Sequence, residues 1–354
     1  MTREVNALVT AVGGIIGQGI MKCLKLANKK SELLHYKILA SDASPNAAGL
    51  YRGDGGFITP PASSPEHVGS IIKVCREQQV DAIFVGADEE LMPLALAKQR
   101  VEDESGAVVI SNPPEVISLA TDKWKTYEFL RKNKFPCAES ALPRDAESFV
   151  KEFGFPIVVK PREGHGSEGF HVAQGADEIQ YAFSEIKKRG WRPLLQEYLE
   201  AEESEFTSGV TVDRQGKRVM SSISMRRILK GGQTYKAFID DYQDVRKSTE
   251  KIAIALGVKG PVNVQARLAG NLTKVFEINP RFSASSPLRA VAGVNEPDLI
   301  FRNLLLGESV FVERYQRLIC LRFWDELYLP YPEYEHAKSN GTVNSSESFI
   351  PGYF

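Results

Sequence analysis

Cysteine and histidine are both scarce in this sequence. Its 354 residues include only four cysteines (Cys23, Cys75, Cys137 and Cys320) and five histidines. No two cysteines form a CxxC pair, none has a neighbouring histidine, and no histidines show HxxxH spacing. This scarcity argues against a zinc site or a disulfide framework and favours a reducing compartment. We therefore expect a cytoplasmic protein with ordinary thiols.

The chain also has almost no net charge and no long apolar segment. Lys and Arg number 44 against 45 Asp and Glu, so the formal net charge is -1. This balance gives no reason to expect nucleic acid or an anionic membrane as a partner. No apolar run approaches the roughly 20 residues that span a bilayer. The first residues also lack the basic-then-apolar pattern of a signal peptide. We expect neither nucleic-acid nor membrane partners.

Glycines and short apolar runs organise the first third of the chain. Apolar strands alternate with helical stretches over residues 1–112, as in a doubly wound parallel sheet. The first strand, Ala7 to Val12, leads into the turn Gly13-Gly14-Ile15-Ile16-Gly17 and a helix. Asn112-Pro113-Pro114 then marks a boundary, because proline is well placed to open the next helix. The pattern predicts an N-terminal Rossmann-like parallel sheet at residues 1–112.

Paired strands dominate the part that follows. Residues 206–212 and 218–224 alternate on either side of Asp213-Arg214-Gln215-Gly216. Residues 262–268 and 274–278 do the same around Ala269-Gly270-Asn271. Alternating runs joined by such turns predict antiparallel hairpins. Helical stretches lie between them, so an α+β domain is expected here.

A lysine and a glycine-rich loop follow one strand of this second part. Lys160 ends the apolar run Val158-Val159, and the loop from Glu163 to Gly169 contains three glycines. Glycine lets backbone N–H groups approach phosphate oxygens, and lysine supplies a point charge. Taken alone, the segment is equally consistent with a structural hairpin.

Two carboxylates, Glu197 and Glu205, flank a short crossing. A carboxylate can accept from an adenine amino group or from ribose hydroxyls. A solvated acidic loop is the simpler interpretation of this segment alone, because further glutamates lie between the two.

A third group of polar residues lies on a predicted hairpin. Glu277 and Asn279 are two residues apart and therefore face the same side of a strand. Gln265 lies across the hairpin, and Arg281 is one step further along the same face. Carboxylate and amide oxygens suit a hard cation such as Mg²⁺. The surrounding residues are apolar, so buried polar groups here need partners.

Several segments in order resemble the ATP-grasp superfamily. They are TDK, VVKPREGHGSEG, LQEYL with ESEFT, VNVQARL, and FEINPRFSASS, the most specific of the set. The chain is most similar to the large chain of carbamoyl phosphate synthetase and to single-domain carboxylate–amine ligases, over roughly residues 1–310. The resemblance implies a pre-ATP-grasp domain at 1–112 and a two-lobed ATP-grasp domain at 113–310. The small lobe would span about 150–198 and the large lobe about 199–310, with residues 311–354 an extension of unknown role.

The resemblance also implies roles for individual residues, with ATP and Mg²⁺ (or Mn²⁺) as cofactors. Lys123 and Lys160 would contact the ATP phosphates, under a loop containing Gly164, Gly166, Ser167 and Gly169. Glu197 would accept from adenine, with the backbone of Tyr198 and Leu199 reading the ring. Glu205 would hold the ribose, although Ser204 or Glu203 could replace it. Gln265, Glu277 and Asn279 would coordinate metal, and Arg281 with Lys160 would serve catalysis.

The implied reaction is ATP-dependent ligation. A substrate carboxylate would attack the γ-phosphate to give an acyl phosphate and ADP, and an amine would then displace phosphate. Arg226 (or its neighbour Arg227) and Arg289 are candidates for binding the substrate carboxylate. The chain holds one ATP-grasp unit rather than two, which argues against synthesis of carbamoyl phosphate. A homodimer is expected by analogy, and the sequence does not name the carboxylate or the amine.

Two other interpretations compete with a ligase. The glycine turn after the first strand, with Asp42 ending the next strand, imitates the fingerprint of an NAD(P)-dependent oxidoreductase. Its spacing is GGxxGxG rather than GxGxxG. A catalytically inactive nucleotide-binding ATP-grasp protein is the second alternative. The intact set Gln265, Glu277 and Asn279 favours an active enzyme.

Overall fold

A computed structural model describes residues 2–164, 168–199, 204–323 and 325–352 of the protein. Three sheets organise this part of the chain. Over the described residues, no helix has both the length and the apolar character that crossing a membrane requires.

The first sheet forms the leading domain. Its elements are β1 (Arg3–Val9), α1 (Ile15–Lys30), β2 (Leu34–Asp42), β3 (Gly55–Ile58), α2 (His67–Glu77), β4 (Ala82–Phe84), α3 (Asp88–Leu96), α4 (Lys98–Ser105) and β5 (Val108–Ile110). The strands pair in parallel in the order β3-β2-β1-β4-β5. Their central residues are buried on both faces, which explains why the strands are almost continuously apolar. The predicted Rossmann-like sheet is confirmed.

A small four-stranded sheet follows two helices. The elements are α5 (Pro114–Thr121), α6 (Lys123–Lys132), β6 (Ser140–Ala141), α7 (Ala146–Phe153), β7 (Ile157–Pro161), β8 (His171–Ala173), α8 (Ala176–Lys188) and β9 (Pro193–Glu197). Pro114 lies at the first position of α5, where its missing N–H costs nothing. Ile179, Phe183 and Ile186 of α8 pack on Ile157 and Val159 of β7 in one core.

The third sheet is larger and mostly antiparallel. It is built from β10 (Glu205–Val212), β11 (Val219–Lys230), β12 (Gln233–Ile239), α9 (Gln243–Leu256), β13 (Gly260–Ala269) and β14 (Leu272–Asn279), followed by α10 (Ser286–Val291) and α11 (Glu296–Leu305). Both predicted hairpins, β10–β11 and β13–β14, are present. On one face Val210, Val264 and Ile278 pack in a core with residues of α9. The alternate residues of the same strands face the other way.

The C-terminal residues return to both large sheets. The chain continues as β15 (Leu318–Leu321), α12 (Tyr331–Asn340) and β16 (Thr342–Val343). The strand β15 pairs with β12 at the edge of the third sheet, and β16 pairs with β3 of the leading domain. The C-terminal segment therefore joins the two parts of the molecule, a role that the sequence alone had not indicated.

Candidate functional site

A cleft of about 480 Å³ lies between the small sheet and the face of the large sheet that is opposite α9. That volume is within the range of small-molecule sites. Many of the residues that the sequence singled out line it: Lys123, Lys160, Gly164, Glu197, Leu199, Glu205, Gln265, Glu277 and Arg281. They come from several separate segments of the chain. The fold therefore brings the motifs together in one place.

Lys160, at the end of β7, reaches across the cleft. Its Nζ donates to Oε1 of Gln196 at 2.8 Å and to the carbonyl of Phe276 on β14 at 3.4 Å. The side chain is buried. Burial, and to a smaller extent the charge of Lys123, lowers the pKa of Lys160 to about 7. An anion in the cleft would oppose both effects and favour the charged ammonium.

Lys123 begins α6 and points to the glycine-rich loop. Asp122 caps the helix by accepting from the backbone N–H of Trp124 at 2.9 Å, and it forms an ion pair with Arg162. The Nζ of Lys123 donates to the carbonyl of Gly164 at 2.8 Å. The cap and the ion pair together fix the lysine beside the loop.

The β13–β14 hairpin, here called the metal hairpin, carries the predicted metal ligands. Gln265 is directly opposite Glu277, and Asn263 is opposite Asn279. The Asn279 amide donates to Oε1 of Glu277 at 2.9 Å. Burial alone would raise the pKa of the Glu277 carboxyl, but the charges of Lys123 and Lys160 outweigh it, so this pKa is lowered. Glu277 is thus an anion whose oxygens suit a hard cation.

Arg281 follows the metal hairpin and is held by the leading domain. Its Nε and Nη2 donate to the two carboxylate oxygens of Asp88 at 2.7 and 2.9 Å. Its Nη2 also donates to Oδ1 of Asn279 at 3.2 Å. Asp88 is the first residue of α3 and lines the same cleft. Arg281 therefore connects the leading domain to the metal hairpin.

Glu197 closes one end of the cleft. Both of its oxygens accept from Nζ of Lys274, at 2.7 and 2.9 Å, and Oε1 also accepts from the backbone N–H of Glu139 at 2.8 Å. Leu199 lines the cleft, whereas the side chain of Tyr198 is about one-third exposed and does not. These contacts leave only part of the Glu197 carboxylate available to a ligand.

Glu205 is engaged on both oxygens. Its Oε1 accepts from Arg227 at 2.8 Å and its Oε2 from Arg267 at 2.6 Å, and the three side chains are largely buried. Arg227 also donates to Oε1 of Gln265 at 2.7 Å. A ribose bound by Glu205 would have to compete with two guanidinium groups, so the ribose role remains a prediction. Glu203, one of its alternatives, lies outside the described residues.

Neither of the two arginines proposed for the substrate is among the residues that line the cleft. Arg226 is next to Arg227 on β11 and therefore points to the opposite face, where its guanidinium stacks over Phe238 at 4.1 Å. Arg289 on α10 is completely buried. It forms an ion pair with Glu296 at 3.0 Å and donates to Oδ1 of Asn263 at 2.6 Å. Of the arginines weighed from the sequence for the substrate, Arg227 is the one that lines the cleft.

The glycine-rich loop is described in part. Gly164 lines the cleft, whereas Gly166 and Ser167 lie outside the described residues. Gly169 has a φ of 69°, and a Cβ there would approach Cγ of Pro161 to 2.9 Å. Both observations require glycine at this position.

Three charged partners of the cleft residues were not identified from the sequence. Asp88, Arg267 and Lys274 each neutralise a singled-out group: Arg281, Glu205 and Glu197 respectively. Strand pairing could have indicated two of them, because Arg267 is two residues from Gln265 and Lys274 faces Arg267 across the hairpin. No comparable pairing pattern in the sequence indicated Asp88.

The glycine turn of the leading domain uses its acidic residue internally. Oδ2 of Asp42 accepts from the backbone N–H of Gly13 at 2.7 Å, and Oδ1 accepts from the backbone N–H of Ser44 at 3.0 Å. In a dinucleotide site this carboxylate would be directed at a ribose. Here it stabilises the turn, which argues against the oxidoreductase interpretation.

Two family models match the chain. Residues 120–285 match a family described as an ATP-grasp domain, and residues 14–110 match the PylC-like N-terminal domain. The two matches cover the leading domain from α1 to β5 and the strands β6–β14, which form both walls of the cleft.

Curated relatives are large chains of carbamoyl phosphate synthase. The C-terminal section of the carbamoyl phosphate synthase large chain from Aquifex aeolicus is 27% identical to this protein over 236 residues. The aligned part is 63% of this protein and 42% of the relative. The large chain from Pyrococcus furiosus is 27% identical over 242 residues, 62% of this chain and 22% of the relative. The chain thus spans less than half the length of these relatives.

Solved structures share the fold. N5-carboxyaminoimidazole synthetase from Staphylococcus aureus, complexed with ADP, aligns with a TM-score of 0.68 at 16% identity, covering 96% of this chain and 86% of that one. The biotin carboxylase domain dimer of the Hydrogenobacter thermophilus 2-oxoglutarate carboxylase, in complex with MgADP, ADP and bicarbonate, aligns with a TM-score of 0.67 at 18% identity. The alignment covers 87% of this chain and 71% of that one.

Proposed function

We propose that this chain, a member of the ATP-grasp superfamily, is an ATP-dependent ligase that joins a substrate carboxylate to an amine with formation of ADP. One observation carries the proposal. The anionic Glu277 and the facing Gln265 lie in one cleft with Lys123 and Lys160, so that an oxygen-rich metal hairpin meets two cations. This combination suits a magnesium-bound polyphosphate. The relatives and structural neighbours, which include ligases and carboxylases, support the same reaction class.

The donor set on the metal hairpin fits magnesium. Glu277 would supply a carboxylate, and Gln265 and Asn279 would supply amide oxygens, all hard donors. When bound, Mg²⁺ neutralises charge on the phosphate oxygens during transfer. Gln265 now accepts from Arg227, and Oδ1 of Asn279 accepts from Arg281, so both side chains would exchange a hydrogen bond for the cation.

The chain's own residues position the reactants. Lys160 and Lys123 would hold the phosphates, and Arg281, oriented by Asp88, would face the γ-phosphate. An oxygen of the substrate carboxylate attacks the γ-phosphorus, and the bond to the bridging oxygen of ADP breaks. The amine nitrogen then attacks the acyl carbon, phosphate leaves, and the amine proton passes to solvent. No side-chain nucleophile is required.

A phosphate-release screen tests the proposal. The full chain would be supplied with MgATP and with pooled carboxylates and amines. We expect phosphate release that needs both pools, with ADP as the nucleotide product. AMP as the product, or release that needs neither pool, would contradict the acyl-phosphate route.

Substitution at the metal hairpin provides a test that needs no substrate. Glu277→Gln should weaken MgADP binding by roughly tenfold or more, because it removes the charge facing the cation. Glu147→Gln, an exposed change on α7, is the matched control and should bind like wild type. Calorimetric titration with MgADP measures both. Equal affinity of the two variants would remove the metal assignment.

The proposal also includes an oligomeric state, the homodimer, and a cellular location, the cytoplasm. A homodimer is supported by the dimer named for the Hydrogenobacter domain. Light scattering on the full chain would measure the mass directly, and a monomer at working concentration would contradict it. A cytoplasmic location rests on the scarcity and spacing of the cysteines.

A further inference from the structure

A second cavity, of about 290 Å³, lies where the leading domain, the large sheet and α11 meet. Among the described residues, none lines both this cavity and the cleft. Its walls are mainly apolar and come from all three parts: Ala95, Ile110, Val212, Met220, Ile300 and Leu304. A cavity of this size is at the lower end of the range for small-molecule sites.

Three cations line the cavity. They are Lys98 at the start of α4, Arg214 in the β10–β11 turn and Lys259 just before β13. No aspartate or glutamate is among its lining residues in the described part of the chain. Lys98 has a partly exposed contact with Glu102 at 3.9 Å. Three positive charges without a lining carboxylate create a potential that attracts an anion.

Ser111 supplies an independent observation. Ser111 is among the residues that line the cavity, and its buried hydroxyl has no hydrogen-bond partner within residues 2–164, 168–199, 204–323 and 325–352. Buried hydroxyl groups are normally satisfied, so an unsatisfied one beside a cavity indicates a missing acceptor or donor. An anionic oxygen in the cavity would accept from this hydroxyl.

Asn112 connects the cavity to the metal hairpin. This buried side chain lines the cavity, and its Oδ1 accepts from the backbone N–H of Lys259 at 2.9 Å. Its Nδ2 donates to the carbonyls of Pro261 at 2.7 Å and Pro280 at 3.0 Å. Pro261 lies in β13 and Pro280 directly follows the end of β14, so one side chain bonds to both ends of the metal hairpin that face the leading domain's boundary at Asn112.

We propose that this cavity is a second binding site, for a small molecule with an apolar body and one anionic group, and that its occupant acts on the metal hairpin through Asn112. The anionic group is a carboxylate or a phosphate monoester. The apolar walls contact the apolar body, and the three cations and Ser111 bind the anionic group. Asn112 couples the bound molecule to the metal hairpin. The proposal goes beyond the ligase reaction, which needs only the cleft.

Titration of the full chain with three probes tests the site. Benzoate and phenyl phosphate carry the two anionic groups on the same ring, and benzyl alcohol is the uncharged control. We expect saturable binding of at least one anion, with or without saturating MgADP, and much weaker binding of the alcohol. Preference for benzoate or for phenyl phosphate identifies the anionic group. Because the titration uses no turnover, it stands even if the ligase proposal fails.

Variants at the cavity sharpen the test. The double variant Arg214→Gln/Lys259→Gln should bind the preferred anion about tenfold more weakly, the equivalent of about 1.4 kcal/mol. Lys217→Gln, in the same turn but outside the cavity, is the matched control. Ser111→Ala should weaken binding of the anion severalfold. It should not lower the melting temperature, because the hydroxyl that it removes has no hydrogen-bond partner in the described part of the chain.

The coupling has its own readout. A saturating anion should change the MgADP dissociation constant, and MgADP should change the anion's constant by the same factor. An MgADP affinity unaffected by the anion would overturn the action through Asn112. Four results would overturn the site itself. They are the absence of saturable binding, equal binding of the alcohol, complete competitive displacement of the anion by ADP, and identical affinities of the double variant and Lys217→Gln.

Discussion

At the scale of single residues, the cleft is a set of charges that neutralise one another. Glu205 lies between Arg227 and Arg267, Glu197 is paired with Lys274, and Arg281 with Asp88. Lys160 is different, because within the described residues its ammonium donates to the neutral oxygens of Gln196 and Phe276. A buried cation held by neutral groups is costly unless a ligand supplies the opposite charge.

The lowered pKa of Lys160 predicts a pH dependence of nucleotide binding. With a pKa of about 7 in the free protein, the lysine becomes mostly neutral as the pH rises past that value and must then take up a proton to pair with phosphate. MgADP affinity should therefore fall with rising pH, by up to about tenfold per unit above the pKa. Titration calorimetry from neutral to moderately alkaline pH measures the slope.

Lys160→Met supplies the control for this slope. It should weaken MgADP binding by roughly 10–100-fold at neutral pH and remove most of the pH dependence. Lys125→Met, at an exposed position of α6, should leave both unchanged. A slope that survives in Lys160→Met would assign the titration to another group.

At the scale of elements, the strands of the large sheet separate two environments. Alternate residues of β10 and β13 face α10, whose buried Arg289 contacts Thr207 and Asn263. The intervening residues pack against α9. Glu296, at the start of α11, completes this buried network by pairing with Arg289 and accepting from Ser286. Through Arg289, this network contacts Asn263 of the metal hairpin on the same face of the sheet as the cleft.

Gly209 on β10 makes room for the ion pair of Arg289 and Glu296. A Cβ at this position would lie 1.8 Å from Oε1 of Glu296 and 2.2 Å from Nη1 of Arg289. Gly209→Ala should therefore lower the free energy of unfolding by about 2–4 kcal/mol. Denaturant unfolding measures the change.

A second glycine provides the comparison. Gly69 lies within α2, and a methyl group added there would have no atom of the described residues within 4 Å outside its own helix backbone and chain neighbours. Gly69→Ala should stabilise the protein slightly, by about 0.5–1 kcal/mol, because alanine favours helix. Similar effects of the two changes would mean that the contact around Gly209 is not the cause.

At the scale of the whole molecule, the leading domain takes part in the cleft. Ile15, Ile16 and Asp88 line it, and Asp88 orients the arginine that follows the metal hairpin. The C-terminal strands β15 and β16 add a second connection between the same two parts. The geometry of the metal hairpin should therefore depend on the leading domain.

Asp88→Asn tests this dependence. The change removes the charge that holds Arg281, which in turn contacts Asn279. We expect the Mg²⁺ concentration for half-maximal ADP binding to rise roughly 3–10-fold, and stability to fall by about 1–3 kcal/mol, between the values for exposed and buried ion pairs. Asp103→Asn, exposed on α4, is the control. A wild-type Mg²⁺ dependence would show that Arg281 needs no support from Asp88.

The sequence by itself determined the local part of this protein. Alternation placed Gln265, Glu277 and Asn279 on one hairpin, and the glycine and proline signals located the turns and the start of α5. These features depend on period and turn chemistry, which neighbouring residues set. The helix α3 and the strand β12 were not predicted, because Pro93 interrupts the helix and β12 is a strand with exposed polar residues.

Only the tertiary structure decided which charges meet. Asp88 and Arg281 are 193 residues apart, Glu197 and Lys274 are 77 apart, and their pairing depends on how the sheets pack. The structure likewise placed Arg227 in the cleft, directed Arg226 to the other face, and buried Arg289 against Thr207 and Asn263. The sequence determines the charge of a side chain, but tertiary packing determines its partner and its exposure.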